Sequence, residues 1–339
     1  MNRAESITHP INPSATGHRA ITIRLIVETG LLFFGLAITA SYIGPLARRS
    51  VPMLIAYLIV LLAQGLTLQR IYIVAHEAAH KKIAPKLWLN DLIGQTILLP
   101  LLVPLQIYRK IHYFHQGFNR KDHRSSSLDV FVSPWPVTLP IKIVCYFLWY
   151  LGIFAGGFFF HSLVSIVLFL GLPIKQAQKI SPAFKHWDGR DRVIAWAQFL
   201  SGLALHLGVS WVFGFSVWLY ALGLPLVAFA WIWSLLVYVF HYNTSIGDHV
   251  RFNVRSIKAH WFFTWLLMNF NQHATHHMYP NIPWYELPLK AQQLPKPFAD
   301  LNQNNYSLWQ AVLHQFKGPI VIYRGDENPT PQLFVHWED

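Results

Sequence analysis

Long apolar segments alternate with short polar connections along this chain. Four of them, residues 25–44, 51–70, 194–215 and 217–240, have about the 20 residues that a helix needs to cross a membrane. Short turns join the first to the second and the third to the fourth, which predicts two helical hairpins. We therefore expect an all-α integral membrane protein with about four transmembrane helices.

Two further apolar segments are less regular. Pro100 and Pro104 interrupt the run from Asp91 to Tyr108, so we expect a re-entrant or interfacial helix there instead of a span. The segment 137–172 could cross once, cross twice as a tight hairpin, or lie along the surface. We favour an embedded segment that does not cross, with a tight hairpin as the alternative. An even number of crossings keeps the histidines before and after this segment on one face of the membrane.

The composition supports a membrane protein, because 53% of the residues are hydrophobic and only 12% are charged, against about 25% in ordinary soluble domains. The basic residues behind the net charge of +12 lie in the polar connections, so membrane topology explains them and we expect no nucleic-acid partner. Those at 81–124 and 175–192 place these connections and both termini in the cytoplasm. Arg48 and Arg49 are then a mild exception to the rule. The single cysteine, Cys145, excludes a thiolate cluster.

These features divide the chain into three parts. Residues 1–20 are polar, contain Pro10 and Pro13, and lack the pattern of a cleaved secretory signal, so we expect a short N-terminal tail. Residues 21–290 form the membrane domain. Residues 291–339 are polar and predict a cytoplasmic C-terminal tail that caps the candidate site.

Three histidine clusters adjoin the apolar segments, and His241 ends the fourth predicted span. Residues three or four apart share a face of a helix, so each cluster can direct two or three imidazoles at one point. An HxxHH pattern is expected by chance in about one of twenty chains with this histidine content, whereas HxxxH and HxxH are common. The clusters are His76-Glu-Ala-Ala-His80, His112-Tyr-Phe-His115 and His273-Ala-Thr-His276-His277.

Eight imidazoles are too many for one metal ion and predict two. Imidazole-rich sites with open positions suit iron, which together with O2 can oxidise the hydrocarbon-like substrate that a membrane position implies. Nearby polar side chains are candidate partners for the ring N–H groups that do not face a metal. These side chains are Asn119, Asp122, Asp129, Asn269 and Gln272.

Two other functions share part of this pattern. Glu77 makes the first cluster an HExxH motif, in which a zinc protease uses the glutamate as a general base, but this leaves the other clusters unexplained. A metal transporter would need ionisable residues along its spans, which contain few. We expect seven other histidines to be structural. They are His161 and His206 within apolar segments, and His186, His249, His260, His314 and His336 at surfaces or interfaces.

The order of the clusters resembles the membrane fatty acid desaturase superfamily, in which a helical hairpin, HxxxH, HxxHH, a second hairpin and a final HxxHH follow one another. Here 31 residues separate His80 from His112. From His276 the chain reads His-His-Met-Tyr-Pro-Asn-Ile-Pro-Trp-Tyr-Glu-Leu-Pro, which is similar to the HHxxPxxPxxxLP signature of desaturases and of the related carotenoid ketolases. The likeness extends over residues 25–290.

The resemblance implies a site and its cofactors. It implies two non-haem iron ions with O2 as co-substrate and a lipid or acyl substrate. The basic connections predict that the histidine boxes form a cap on the cytoplasmic side. Electrons would come from a separate ferredoxin-like or small haem protein, since the sequence contains no HPGG haem-binding signature. His241 matches an extra histidine that some members supply from the last spanning helix. The implied iron ligands are His76, His80, His112, His115, His241, His273, His276 and His277.

The motif His112-Tyr-Phe-His115 departs from the family pattern, because Gln116 stands where the family has a third histidine. Gln116 could ligate through its amide oxygen, His123 could fold back, or one iron could have a more open site. The expected reaction is desaturation of a fatty acyl chain of a lipid. Hydroxylation or ketolation of a lipid or isoprenoid would use the same oxidant and is the alternative, followed by an HExxH intramembrane zinc metalloprotease.

Overall fold

The computed structural model describes residues 15–123, 127–291 and 293–326. In the first part of the chain the helices are α1 (Ala15–Leu46), α2 (Val51–Ala79), α3 (Leu87–Leu98), α4 (Leu105–Phe118), α5 (Leu139–Leu151), α6 (Val164–Ile166) and α7 (Ile174–Ile180). They continue with α8 (Gly189–Phe213), α9 (Phe215–Trp218), α10 (Leu224–Val237), α11 (Trp261–Leu266), α12 (His273–Met278), α13 (Leu287–Lys290), α14 (Lys296–Asn302) and α15 (Leu308–His314).

Tighter and wider helical turns fill several of the gaps. The π-helical turns are Gly152–Gly156, Phe159–Leu163, Val167–Gly171 and Leu219–Gly223. The 3-10 turns are Leu99–Leu101, Pro182–Phe184, Trp284–Glu286 and Gln315–Lys317.

Within the described ranges, four helices are long and apolar enough to cross a membrane, namely His18–Leu46, Val51–Ala79, Gly189–Phe213 and Phe215–Val237. Two bent helix pairs would raise the number of spans to six if each pair crossed as one unit. The predicted helical membrane fold is therefore confirmed. The second of these helices, α2, continues past Arg70 and so carries the motif His76–His80 at its end.

The local sequence explains where α2 and α8 begin. The Ser50 hydroxyl caps α2 by accepting a hydrogen bond from the Met53 backbone N–H, and Pro52 lies in the first turn, where its missing N–H has no helical partner to lose. Asp188 and Asp191 form a capping box at the start of α8. Polar caps thus precede an apolar helix in each half of the chain.

The two irregular apolar segments are the bent pairs. Leu87–Leu101 and α4 are bent by 99°, and between them Leu102 has a positive φ of 56°. Pro104, which precedes α4, cannot donate to a helical hydrogen bond, so the break falls at the predicted prolines. The predicted embedded segment is bent by 96° between Leu139–Phe154 and Phe159–Gly171, which fits a broken span or a re-entrant loop.

Helix α2 lies at the centre of the fold and packs against α1, α3 and α10. It lies close to α10 at Gly65, where a Cβ atom would lie 2.8 Å from Ile232 Cδ1 and 3.1 Å from the Ala228 carbonyl carbon. Leu68 of α2 and Phe229 of α10 are buried in the same apolar cluster just beyond this contact. This packing fixes α2 and α10 side by side and sets the relative height of the histidines at their ends.

A two-stranded parallel sheet joins the middle of the chain to its C-terminal part. It consists of β1 (Val130–Ser133) and β2 (Ile320–Tyr323), and Val130 packs with Ile246 and Ile322 beneath it. This sheet is not predicted from the sequence, and it corrects the expected all-α fold to a mostly helical one. Residues 293–326, from the predicted C-terminal tail, are folded against the membrane domain, whereas residues 1–14 and His336 lie outside the described residues.

Candidate metal centre

Four separate parts of the chain bring their histidines to one place. His76 lies in the last turn of α2, with His80 capping that helix, and α4 carries His112 and His115. His241 follows α10, and the short helix α12 carries the last three histidines. All eight histidines that the sequence analysis singled out therefore meet, although they are up to 201 residues apart in the chain.

The eight side chains form two groups of four. His76, His80, His112 and His276 make the first cluster, and His115, His241, His273 and His277 make the second. Within each cluster one ligand atom of every residue lies within 4.8 Å of the corresponding atoms of the others.

The second and third sequence motifs are each divided between the two clusters. Successive residues of a helix point about 100° apart, so the adjacent His276 and His277 must face different directions. His276 therefore joins the first cluster and His277 the second. His112 and His115 are divided in the same way. The structure, and not the spacing of the motifs, determines this assignment.

The ring nitrogens converge in a manner that hydrogen bonding alone does not satisfy. His80 Nε2 lies 2.7 Å from His112 Nε2, and His241 Nε2 lies 3.0 Å from His273 Nε2. Both ring nitrogens of His277 are buried without a hydrogen-bond partner among the residues that the structure describes. Converging lone pairs of this kind suit cations, so the two clusters fit a site for two metal ions.

Burial keeps these imidazoles in the neutral form that binds metal. Removal from water lowers the pKa of His80 to about 3, with a further contribution from the neighbouring His76. Burial, followed by the other imidazoles, also lowers the pKa of His273 and His276 well below the usual value, and His276 is only 1% exposed. At neutral pH the lone pairs are therefore available without loss of a proton.

Glu77 orients His76 of the first cluster. The Nδ1–H of His76 donates to Glu77 Oε1 over 3.1 Å, and the Trp284 backbone N–H donates to Glu77 Oε2, also over 3.1 Å. This leaves His76 Nε2, which has no hydrogen-bond partner within the described ranges, facing the cluster. A buried carboxylate held on both oxygens does not fit the water-facing general base of an HExxH protease. This contact with His76 is not predicted from the HExxH motif, which suggests only the protease role for Glu77.

The predicted hydrogen-bond partners of the ligands are used elsewhere. The Asp129 carboxylate pairs with Arg120 and accepts from the Asn243 backbone N–H. The amide groups of Asn119 and Asn269 donate to backbone carbonyls. The Ser127 hydroxyl donates to the Asp122 backbone carbonyl, and Gln272 makes backbone hydrogen bonds with Asn269 and His276. Asn119, Asp129 and Asn269 therefore brace the backbone near the histidines, and within the described ranges their side chains make these bonds instead of bonds to the imidazoles.

Gln116 lies within reach of the first cluster. Its Nε2 atom is 2.8 Å from His276 Nε2 and 3.3 Å from His80 Nε2. It follows His112 by four residues on α4, so both side chains share a face of that helix. Turning the amide about its last carbon–carbon bond places the carbonyl oxygen at the same point. His123, the other substitute considered, belongs to neither cluster.

The histidines expected to be structural divide by position. His206 accepts from Trp218 Nε1 and lies 3.0 Å from the Pro100 carbonyl, so it braces neighbouring helices. His314 is buried between two tyrosine rings. His161 lies 2.9 Å from the Tyr238 hydroxyl and also lines the cavity beside the clusters.

A cavity of about 450 Å³ opens next to both clusters. His76 and His112 from the first cluster line its wall, together with His115, His241 and His273 from the second. The rest of the lining is mainly aliphatic and aromatic. Most of it comes from α2, α4, α10 and residues 161–169. The cavity therefore has room for an apolar chain against the two groups of imidazoles.

The fold and the site together define a class, namely a helical integral membrane protein with two buried imidazole clusters beside an apolar cavity. The model of the family described as fatty acid desaturase matches residues 50–307, which include all eight histidines. The chain belongs to the fatty acid desaturase family and is an oxidoreductase. The resemblance found in the histidine motifs is thereby confirmed.

Individual relatives are distant. The sn-1 acyl-lipid omega-3 desaturase (ferredoxin) of Nostoc sp. (strain 36) is 24% identical over 277 residues, which cover 74% of this chain and 71% of the relative. The sn-1 oleoyl-lipid 12-desaturase of Picosynechococcus is 22% identical, with 75% and 70% covered. The chloroplastic omega-3 fatty acid desaturase of Glycine max is 21% identical over 80% of this chain but only 59% of its own length, less than two thirds.

Proposed function

We propose that this protein is an O2-dependent non-haem di-iron enzyme that desaturates a fatty acyl chain of a lipid. The observation that carries the proposal is the meeting of two largely buried four-histidine clusters at the wall of one mainly apolar cavity. The relatives in Nostoc and Picosynechococcus, which are acyl-lipid and oleoyl-lipid desaturases by name, support a lipid-linked acyl substrate.

In this proposal the eight histidines are the metal ligands. His76, His80, His112 and His276 would hold one iron ion, and His115, His241, His273 and His277 the other. When bound, the two ions would activate O2, which is the oxidant needed to remove hydrogen from an unactivated carbon. Gln116 is proposed as an additional oxygen ligand of the first ion, because its amide lies between His80 and His276.

The protein supplies orientation and exclusion of water. Glu77 keeps the proton of His76 on Nδ1, so that Nε2 points inward. Helices α2, α4 and α12 and the segment after α10 hold the imidazoles, and the aromatic lining of the cavity positions an acyl chain beside them. A dry cavity also keeps water from competing with the substrate for the oxidant.

The electron donor is proposed to be a separate ferredoxin-like or small haem protein, and the name of the Nostoc relative includes ferredoxin. We propose that the histidine clusters and both termini face the cytoplasm. The basic residues of 81–124 and 175–192, next to the clusters in the chain, support this orientation.

A hydroxylase or ketolase acting on a lipid or isoprenoid is the second candidate. It is supported by Gln116, which stands where the desaturase pattern has a third histidine. The two reactions differ in whether a second hydrogen is removed or oxygen is inserted, so product analysis separates them.

The test combines metal analysis of the detergent-purified protein with lipid profiling of a host that expresses it. Two irons per chain and a new unsaturated acyl species are the expected result. Two irons with an oxygenated lipid would transfer the proposal to hydroxylation or ketolation. One zinc per chain and an unchanged lipid profile would contradict the di-iron proposal.

A further inference from the structure

Gln69 is a polar side chain in the wall of the cavity. It lies in α2, is 7% exposed, and lines the cavity together with Tyr72 and Trp233. Its Oε1 atom has no hydrogen-bond partner among residues 15–123, 127–291 and 293–326. A buried amide oxygen without a partner is unfavourable, so the position suggests a ligand that supplies the missing hydrogen bond.

The position of Gln69 along α2 defines which end of a ligand it would meet. Gln69, Tyr72, Ile73 and His76 share one face of the helix and all line the cavity. Gln69 lies two helical turns, about 10 Å, from His76 toward the interior of the membrane. If the reacting carbon of an acyl chain lies beside His76, as the proposed function requires, the buried end of that chain extends toward Gln69.

The chemistry of an amide selects among the groups that such an end could carry. A methyl group makes no hydrogen bond and leaves Gln69 unpartnered. A hydroxyl group donates to the amide oxygen and also accepts from the amide N–H, so it suits the side chain in either orientation. We propose that Gln69 binds a hydroxyl group at the buried end of the substrate chain, and thus that the preferred substrate is an acyl chain oxygenated near its far end. This inference rests on the proposed function for the direction of the chain.

Gln64 provides a matched comparison in the same helix. It is also buried with an unpartnered Oε1 atom among the described residues, but its Nε2 donates to the Ala221 carbonyl over 3.4 Å. It does not line the large cavity. A substitution at Gln64 therefore removes a buried glutamine from α2 without changing the proposed ligand site.

The test measures binding of stearate and of ω-hydroxystearate to the detergent-purified protein. We expect the wild type to bind the hydroxylated chain about tenfold more tightly, the effect of one additional buried hydrogen bond. Gln69→Leu should abolish the difference, whereas Gln64→Leu should retain it. Equal binding by the wild type, or a preference that survives in Gln69→Leu, would overturn the inference. If the leucine variant does not fold, Gln69→Met preserves the side-chain length without the amide and serves instead.

Oxidation is followed in parallel with both chains supplied as lipid esters and with a reduced ferredoxin as electron donor, so that the two proposals fail separately. A preference for the hydroxylated chain in binding, with neither probe oxidised, would support the role of Gln69 and count against the proposed reaction. Oxidation of stearate with no preference in binding would support the reaction and overturn the role of Gln69. Binding that depends on a fixed water at Gln69 would likewise show no preference between the probes.

Discussion

At the residue scale, Gln116 is the position where this chain differs most clearly from its family's pattern. Its amide lies 2.8 Å from His276 Nε2, so it occupies the edge of the first cluster. The sequence alone is compatible with three arrangements. Gln116 could bind the metal through its amide oxygen, His123 could take the place of the missing histidine, or one metal ion could have a more open site. The structure favours the first of these because the Gln116 amide lies within 3.3 Å of the ring nitrogens of both His80 and His276.

We predict that Gln116→Ala weakens binding of the first metal ion at least about tenfold, because it removes a ligand or a group that orients one. Metal content after dialysis against a chelator should fall toward one ion per chain, while Gln116→His should retain two. The exposed Gln176 of α7 provides the control variant Gln176→Ala. Two ions retained by Gln116→Ala under these conditions would show that the amide is not a ligand.

A second residue-scale prediction concerns Glu77. Glu77→Gln can still accept a hydrogen bond from His76, so the variant should fold and keep measurable activity, whereas Glu77→Ala should lose about 10- to 100-fold in metal affinity. Titration of the apoprotein with iron checks the affinity. Complete loss of activity in Glu77→Gln with full metal content would instead indicate a general base.

His314 provides a prediction about pH. Burial, and then the nearby Arg255, lower the pKa of His314 to about 4 in the folded protein, compared with about 6.5 in an unfolded chain. The unfolded state therefore binds more protons between pH 6.5 and 4, and the free energy of unfolding decreases as the pH falls through this window. The contribution of one such group is at most about 1.4 kcal/mol per pH unit.

His314→Gln should flatten this part of the profile. Urea unfolding of the detergent-solubilised wild type and variant, compared between pH 7 and pH 4.5, isolates the contribution of His314 from that of the other histidines. Parallel profiles for the two proteins would show that His314 protonates equally in both states.

At the element scale, the long helices were predictable because length, apolar content and proline positions are local properties of the chain. The break between α3 and α4 falls at the predicted prolines. The sheet of β1 and β2 was missed because each strand has only four residues and its partner lies almost two hundred residues away. Such short strands have no periodicity that distinguishes them from loops.

The contact of α2 with α10 depends on Gly65. Gly65→Leu should lower the free energy of unfolding by about 1–3 kcal/mol, because any added side chain meets Ile232 and the backbone of Ala228. A Cβ atom added at Gly35 of α1 would meet nothing within 4 Å among the described residues, so Gly35→Ala should be neutral or slightly stabilising. Thermal unfolding in detergent compares the two. Equal midpoints would mean that α10 moves away without loss of stability.

At the scale of the whole molecule, the two clusters are built from four chain segments that depend on one another. We predict that His276→Ala and His277→Ala each reduce the metal content from two ions to one, although the residues are adjacent, because they belong to different clusters. Both variants should lose oxidation of lipid. The exposed His186 gives the control His186→Ala. Loss of both ions in each variant would indicate a single cooperative site.

The sequence by itself determined the helical membrane fold and the eight histidines, because hydrophobic length, proline breaks and helical spacing are short-range properties. Only the tertiary structure decided which histidine joins which cluster, that Gln116 reaches the first of them, and that Glu77 bonds both to His76 and to Trp284. It also placed Gln69 in the wall of the shared cavity. These features depend on the packing of helices far apart in the chain, and the spacing of residues within one segment does not specify how that segment docks against another.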